Sequence, residues 1–186
     1  MVARARADAQ AYGTLYDHYL PRVYGFVARR VADRAAAEEI TATTFQRGLD
    51  AIQAGTLRSE TIGGWLFRVA ANAIVDRGQR GERAIPEGVR AADTVEPNAV
   101  RRDPLVDDEV ATATFLAALE RDELRRAFRR LTEPQRRVMI LKYLDDLTEL
   151  ELCGVLGVSA ATLTVRLERA LRALNAAAGG ASIHAA

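Results

Sequence analysis

At 186 residues, with 49% hydrophobic residues and five prolines, the chain is long enough for one compact domain or two small ones and apolar enough to give each a core. A net charge of +1, from 26 basic and 25 acidic residues, leaves no global electrostatic footprint, so binding to a polyanion has to rest on local patches. The single cysteine, Cys153, excludes intramolecular disulfides and cysteine-cluster zinc sites; no metal and no cofactor are expected.

Few aromatics and many alanines and leucines favour helices over a β-sandwich. Leu15, Tyr16, Tyr19, Val23, Phe26, Val27 and Val31 recur at three- and four-residue steps. They predict a helix that Pro21 interrupts or restarts, with its tyrosines in the core. Asp33 is placed to cap a second helix running to about Ile52, with Ile40, Thr44 or Phe45, Gly48 or Leu49, and Ile52 on its buried side. Gln53 to Gly64 reads as a polar loop broken by Gly55, Gly63 and Gly64, and a third helix is expected from near Trp65 to about Arg80.

From Gly78 to Val106 the apolar period lapses among scattered glycines, prolines and mixed charges, the pattern of a linker. Regular spacing resumes at Asp107. Val110, Phe115, Leu116, Leu119, Leu124, Phe128 and Leu131 predict one helix leading to a turn at Thr132, where Glu133 and Pro134 take the early helical positions that favour an acid and a proline. Val138, Leu141 and Leu144 carry the core onward, and residues 176–186 read as a floppy tail.

The most specific local signal is Leu147 to Leu174, LTELELCGVLGVSAATLTVRLERALRAL, where two helix starts flank one glycine. Thr148 and Glu151 form a capping box with Leu147 stapled onto Leu152, Gly157 ends the first helix, and Ser159 caps the second with Val158 and Leu163 repeating the staple. This is the spacing of a helix-turn-helix. On its second helix Leu163, Leu167, Ala170 or Leu171, and Leu174 face the core, leaving Thr162, Thr164, Val165, Glu168 and Arg169 for other faces and a major groove. An ordinary helical hairpin is the alternative for this segment alone.

The expected fold is therefore all-α: two small helical domains joined by a flexible linker, the C-terminal one containing the helix-turn-helix. The domains are expected at 1–77 and 107–175, with the linker at 78–106 and the tail at 176–186.

Over nearly its whole length the chain resembles a bacterial RNA polymerase sigma factor of the two-domain extracytoplasmic-function (ECF) class. The N-terminal resemblance lies in LYDHYLPRVYGFVARRVADRAAAEEITATTFQRGLDAI and in GGWLFRVAANAIVDRGQR, which matches the family's promoter-melting helix at Trp65, Arg68, Ala70, Asn72, Asp76 and Arg80. The C-terminal resemblance runs from Leu131 to Leu174 through Gln135, Arg136, Val138, Gly157, Ser159, Thr162 and Arg166.

That resemblance implies promoter-specific initiation with core RNA polymerase and promoter DNA as partners. The N-terminal module would dock on the β′ clamp coiled coil and capture the melted −10 strand; the C-terminal module would meet the β flap and read the −35 element. The implied −10 contacts are Arg58, Ser59, Trp65, Arg68, Asn72, Arg77 and Arg80, with Phe67 as a second stacking ring. The implied −35 contacts are Ser159, Thr162, Thr164, Val165, Arg166, Glu168 and Arg169. The implied docking face carries Glu39, Ala42, Thr43, Gln46 and Arg47. Many relatives are held inactive by an anti-sigma factor, which makes such a protein a candidate partner.

Two departures from the family pattern stand out. Ala42 and Thr43 replace polar partners on the docking face, and Thr164, Val165, Glu168 and Leu171 replace more basic or neutral residues on the recognition helix. Residues 131–174 hold six basic and six acidic side chains, so DNA binding without polymerase is expected to be poor. The rival readings are a sigma-like adaptor and a two-domain helix-turn-helix regulator that does not initiate by itself. An enzyme is not expected: His18 and His184 lie far apart, and there is no Gly-rich phosphate loop or metal-spaced cluster. Cys153 is expected to be a buried small hydrophobe. The basic N-terminus runs into no apolar signal-peptide core, and no stretch approaches the roughly 20 apolar residues of a membrane span, so the protein is expected to be cytoplasmic.

Overall fold

The computed structural model describes residues 9–57, 62–82 and 109–178. Its elements are α1 (Ala9–Ala28), α2 (Arg34–Gln53), α3 (Ile62–Glu82), α4 (Glu109–Ala118), α5 (Asp122–Arg129), α6 (Glu133–Tyr143), α7 (Glu149–Leu156) and α8 (Ala160–Ala177). There is no strand among the described residues. Helices α1 to α3 pack on one another as an N-terminal module, and α4 to α8 form a C-terminal one around α6 and α8.

In the N-terminal module Leu15, Val23, Phe26 and Val27 of α1 meet Ile40, Phe45 and Ile52 of α2 and Leu66, Phe67 and Ala70 of α3. Asp33 caps α2 as expected, its carboxylate accepting from the amides of Ala35 and Ala36 at 3.1 and 3.2 Å. α1 runs unbroken through Pro21. The missing amide leaves the Asp17 carbonyl without its helical partner, but both residues are exposed and water can take the donor's place. The tyrosines are not fully buried: Tyr16 is 36% exposed, and Tyr12, Tyr19 and Tyr24 are half-buried. Tyr12 shows the cause, since its hydroxyl has to reach a partner and donates to the Phe45 carbonyl at 2.9 Å.

α3 begins at Ile62 rather than near Trp65, so Gly63 and Gly64 belong to the helix and not to the loop. It also continues to Glu82, past the Gly78 where a linker was expected to start. The single helix expected from Asp107 to the Thr132 turn is two, α4 and α5, with a corner at residues 119–121. Asp122 and Glu123 suit a new N-terminus, and the Arg125 guanidinium donates to the Leu116 carbonyl at 3.1 Å, satisfying an end group of α4. Apolar spacing alone does not register this corner, because Phe115 and Phe128 on either side of it face one core, with ring centroids 4.6 Å apart. Val110 is 55% exposed and lies outside that core.

The Thr132 turn and the helix-turn-helix form where their local signals put them. The Gln135 side chain accepts from the Thr132 amide at 2.9 Å with Pro134 in the first turn of α6. Thr148 and Glu151 exchange both bonds of a capping box, at 2.8 and 3.3 Å. Gly157 takes the left-handed conformation (φ 64°), Ser159 accepts from the Thr162 amide at 3.2 Å, and α7 and α8 meet at 98°. α8 runs through Ala177, two residues beyond the expected domain end. Cys153 is half-buried against the core rather than buried.

The two modules are not apart. α3 makes its most extensive packing with α7, and one hydrophobic cluster runs through both modules.

Candidate nucleic-acid interface

The recognition helix α8 presents a free face. Leu163, Ala170 and Leu174 are buried and Leu167 and Leu171 half-buried, as the helical period predicts. Thr162, Thr164, Val165, Arg166, Glu168 and Arg169 are all exposed, and Val165 stands 44% open despite being apolar. Several of these polar groups are already engaged locally. The Ser159 and Thr162 hydroxyls are 3.0 Å apart, the Thr164 hydroxyl donates back to the Ala160 carbonyl at 3.0 Å, and Glu168 pairs with Arg172 at 2.7 Å. The last contact changes the charge arithmetic: the one acid on this face carries its own counter-ion. Arg137 of α6 is raised against the same helix, its guanidinium held below the usual arginine range by burial and then by the charge of Arg166.

The α3 face is less free. Trp65 is half-buried, and its ring closes over Gly48 of α2, where a Cβ would lie 3.7 Å from the nearest ring carbon. Phe67 is fully buried, edge-on to Phe26 at 5.4 Å and beneath the Arg22 guanidinium, so it is a core residue and cannot offer a stacking face here. Arg68 is half-buried, and its Nε is buried without a hydrogen-bond partner among the described residues. Asn72 is half-buried. Arg77 is exposed and pairs with Glu39 at 3.1 Å and Asp33 at 3.8 Å, joining α3 to α2. Arg58 and Ser59 lie outside the described residues, as does the side chain of Arg80 on the last turns of α3.

Glu39, Ala42, Thr43, Gln46 and Arg47 form one exposed stripe of α2 at three- and four-residue steps. Beside it a groove of about 760 Å³ runs between α2 and α3, lined by Glu39, Thr43, Arg47, Asp76 and Arg77 among others. Gln46 is engaged within its own helix, donating to Asp50 at 3.0 Å.

Sequence patterning does not reveal the junction between the modules. Asp145, with a side chain 0% exposed, accepts from Arg29 at 3.0 and 2.7 Å and from Arg30 at 3.0 and 2.6 Å. Glu151 accepts from both terminal nitrogens of Arg22 at 2.6 and 2.7 Å while also holding the Thr148 amide. Burial alone would raise the Glu151 carboxyl, but the bonds from Arg22 and Thr148 and the Arg22 charge outweigh it and leave it below the ordinary carboxylate range. Asp146, at φ 51°, turns its carbonyl to Arg22 at 3.1 Å. Signals of this junction in the sequence are glycines that serve no cap, Gly154 inside α7 and Gly63 and Gly64 inside α3.

A capped helix-turn-helix with an exposed second helix, joined to a three-helix module with a basic, aromatic third helix, defines a helical DNA-binding protein of two modules. Comparison with known proteins gives its family. Residues 15–84 match the family model of Sigma-70 region 2, and residues 121–174 match that of Sigma-70, region 4. The chain is 30% identical over 185 residues to the ECF RNA polymerase sigma factor SigK of Mycolicibacterium vanbaalenii, covering 94% of this chain and 85% of that protein. It is 32% identical over 175 residues to the ECF RNA polymerase sigma factor BldN of Streptomyces coelicolor, covering 94% of this chain; it spans 63% of that relative's length. The solved structure of CnrH in complex with the cytosolic domain of CnrY shares the fold, with a TM-score of 0.53 at 18% identity over 97% of this chain and 96% of that one.

The chain belongs to the ECF RNA polymerase sigma factors, the factors of promoter-specific transcription initiation with RNA polymerase. Among the described residues no single helix is long and apolar enough to cross a membrane.

Proposed function

We propose that this factor divides promoter recognition between α3 and α8 and docks on polymerase through α2. In the N-terminal module Trp65 stacks an unpaired base of the −10 strand, Arg58, Arg68, Arg77 and Arg80 follow its backbone, and Ser59 and Asn72 hydrogen-bond to base edges. In the C-terminal module α8 enters the major groove of the −35 element from Ser159 onward. Thr162, Thr164 and Val165 face base edges, the Val165 methyls suit a thymine methyl, and Arg166 and Arg169 reach guanine edges or phosphates. Glu168 suits a cytosine amino group once Arg172 is drawn to a phosphate.

Glu39, Ala42, Thr43, Gln46 and Arg47 are the surface for the β′ clamp coiled coil, and the C-terminal module meets the β flap. An anti-sigma factor would act by covering these surfaces. The factor works in the cytoplasm and performs no catalysis of its own.

The observation that carries this reading is the exposed α8 face on a twice-capped helix-turn-helix. Run-off transcription with core polymerase tests it. Transcripts starting at defined sites only when the factor is added are expected. An adaptor would bind polymerase without producing them, and a conventional regulator would footprint its site with no polymerase present.

A further inference from the structure

α8 carries three exposed arginines, Arg166, Arg169 and Arg172, and they are not equally free. Arg172 is held by Glu168, one turn back along the same helix, at 2.7 Å. Arg166 has no acid three or four residues away on α8, where those places are Thr162, Leu163, Arg169 and Ala170. Only an acid from another element can hold it as Glu168 holds Arg172.

α6 brings one close. Leu163 and Ala170 are buried, so Arg166 between them stands at the edge of the face that α8 packs on its neighbours, most extensively on α6. α6 has a single acid, Glu133, in its first turn. That carboxylate accepts from a terminal nitrogen of Arg137, one turn further along, at 2.7 Å. The Arg137 side chain is 10% exposed and that of Glu133 33%, so this pair is shielded from solvent as the Glu168–Arg172 pair is not. Burial, and then the charge of Arg166, hold the Arg137 guanidinium below the usual arginine range, so two cations meet where α6 and α8 pack. A charge close enough to act on Arg137 is also close to the carboxylate bonded to it.

Like charges brought together repel, and the response falls on whichever side chain can move. Arg137 is fixed by its burial and its bond to Glu133, whereas Arg166 ends an exposed, rotatable stem. We propose that Arg137 is a positioning residue for recognition of the −35 element: it saturates Glu133 and repels Arg166, which keeps the Arg166 guanidinium off α6 and free for DNA. The proposal rests on the assignment of Arg166 to DNA made above. Preorganisation of this kind leaves less ordering to be done when DNA arrives. α8 then has one arginine held back by an acid and one kept available by another arginine.

The test is a double-mutant cycle in the full chain, assembled with core polymerase on a promoter found by run-off transcription. What is read is the −35 preference, the ratio of holoenzyme affinities for that duplex and for the same duplex with its −35 element scrambled. Arg166→Ala should lower this preference about tenfold, the usual worth of one good side-chain contact. Arg137→Gln leaves Glu133 to capture Arg166, so it should lower the preference similarly, and adding Arg166→Ala to it should change little further. Arg137→Lys keeps a cation within reach of Glu133 and should keep the preference. Glu133→Gln combined with Arg137→Gln removes the captor, so it should return most of the preference and make it sensitive to Arg166→Ala again.

An Arg137 with a structural role alone would lower thermal stability when changed to glutamine, yet leave the effect of Arg166→Ala undiminished. That result overturns the positioning role, and so does a preference that Arg137→Gln leaves unchanged or that adding Glu133→Gln fails to restore. An Arg166→Ala factor with wild-type preference would instead overturn the assignment of Arg166 to DNA, and the positioning role with it.

Discussion

α3 and α8 carry the residues assigned to DNA, and they stand in opposite states. α3 is covered: Phe67 is in the core, Trp65 and Arg68 are half-buried, and Arg77 is spent on Glu39 and Asp33. α8 is open, but its charges are restrained from within, by Glu168 on Arg172 and by local hydroxyl bonds. One helix has its aromatic and basic side chains tied into its own module, and the other sets Arg166, Arg169 and Arg172 against Glu168. With six basic and six acidic side chains over residues 131–174, the C-terminal module should hold DNA poorly without polymerase.

The contrast can be broken most forcefully at Phe67. If it is a core residue, as its burial against Phe26 shows, Phe67→Ala should cost about 3–5 kcal/mol, the usual loss for emptying a buried aromatic site. Urea denaturation followed by circular dichroism reads this directly. A variant of wild-type stability that failed only in transcription would return Phe67 to the stacking surface.

Acidification acts on the Arg22–Glu151 pair that joins the modules. The Glu151 carboxyl lies below its ordinary value in the folded chain, so its contribution is present in full above about pH 4.3 and is lost as pH falls through the lower folded value. Hydrogen bonds to a charged group contribute about 1.5–3 kcal/mol. The stability gap between wild type and Glu151→Gln should therefore be level near neutrality and close on acidification through the lowered folded value. A gap that widened on acidification would contradict this assignment.

Trp65 divides its surface between the core and the outside, so Trp65→Ala should lower both stability and transcription. One stacked base is worth about 1–3 kcal/mol, or roughly five- to 150-fold in promoter opening. The check is potassium permanganate footprinting of the melted strand at matched occupancy. A loss confined to stability would make Trp65 a core anchor only.

What is legible in the sequence is local. Asp33, Thr148 with Glu151, Gly157 and Ser159 act within four residues of themselves, and each forms the cap its spacing predicts. What is not legible depends on partners far along the chain. Gly63 and Gly64 read as loop breakers because glycine usually is one, whereas here α7 requires them inside a helix. Arg22 and Glu151 are 129 residues apart, and no periodicity links two charges at that distance. The docking and DNA-contact assignments come from family resemblance, and the fold shows only which of those side chains are exposed.

Glu168 offers the smallest and most discriminating change on the open helix. Its carboxylate has two opposed effects there: it repels phosphate, and it holds Arg172 at 2.7 Å, keeping that cation from the backbone. As an exposed i,i+4 pair it adds about 0.3–0.5 kcal/mol to α8, so Glu168→Ala should leave the fold almost untouched. The same change frees one arginine, and one further phosphate contact steepens the dependence of log K on log salt by about 0.9. Holoenzyme binding to duplex promoter across a salt series should then strengthen at low salt and converge on wild type at high salt. If Glu168 instead accepts from a cytosine, its loss would weaken binding at that one base pair and leave the salt slope as it was. The slope separates a charge that restrains the helix from one that reads a base.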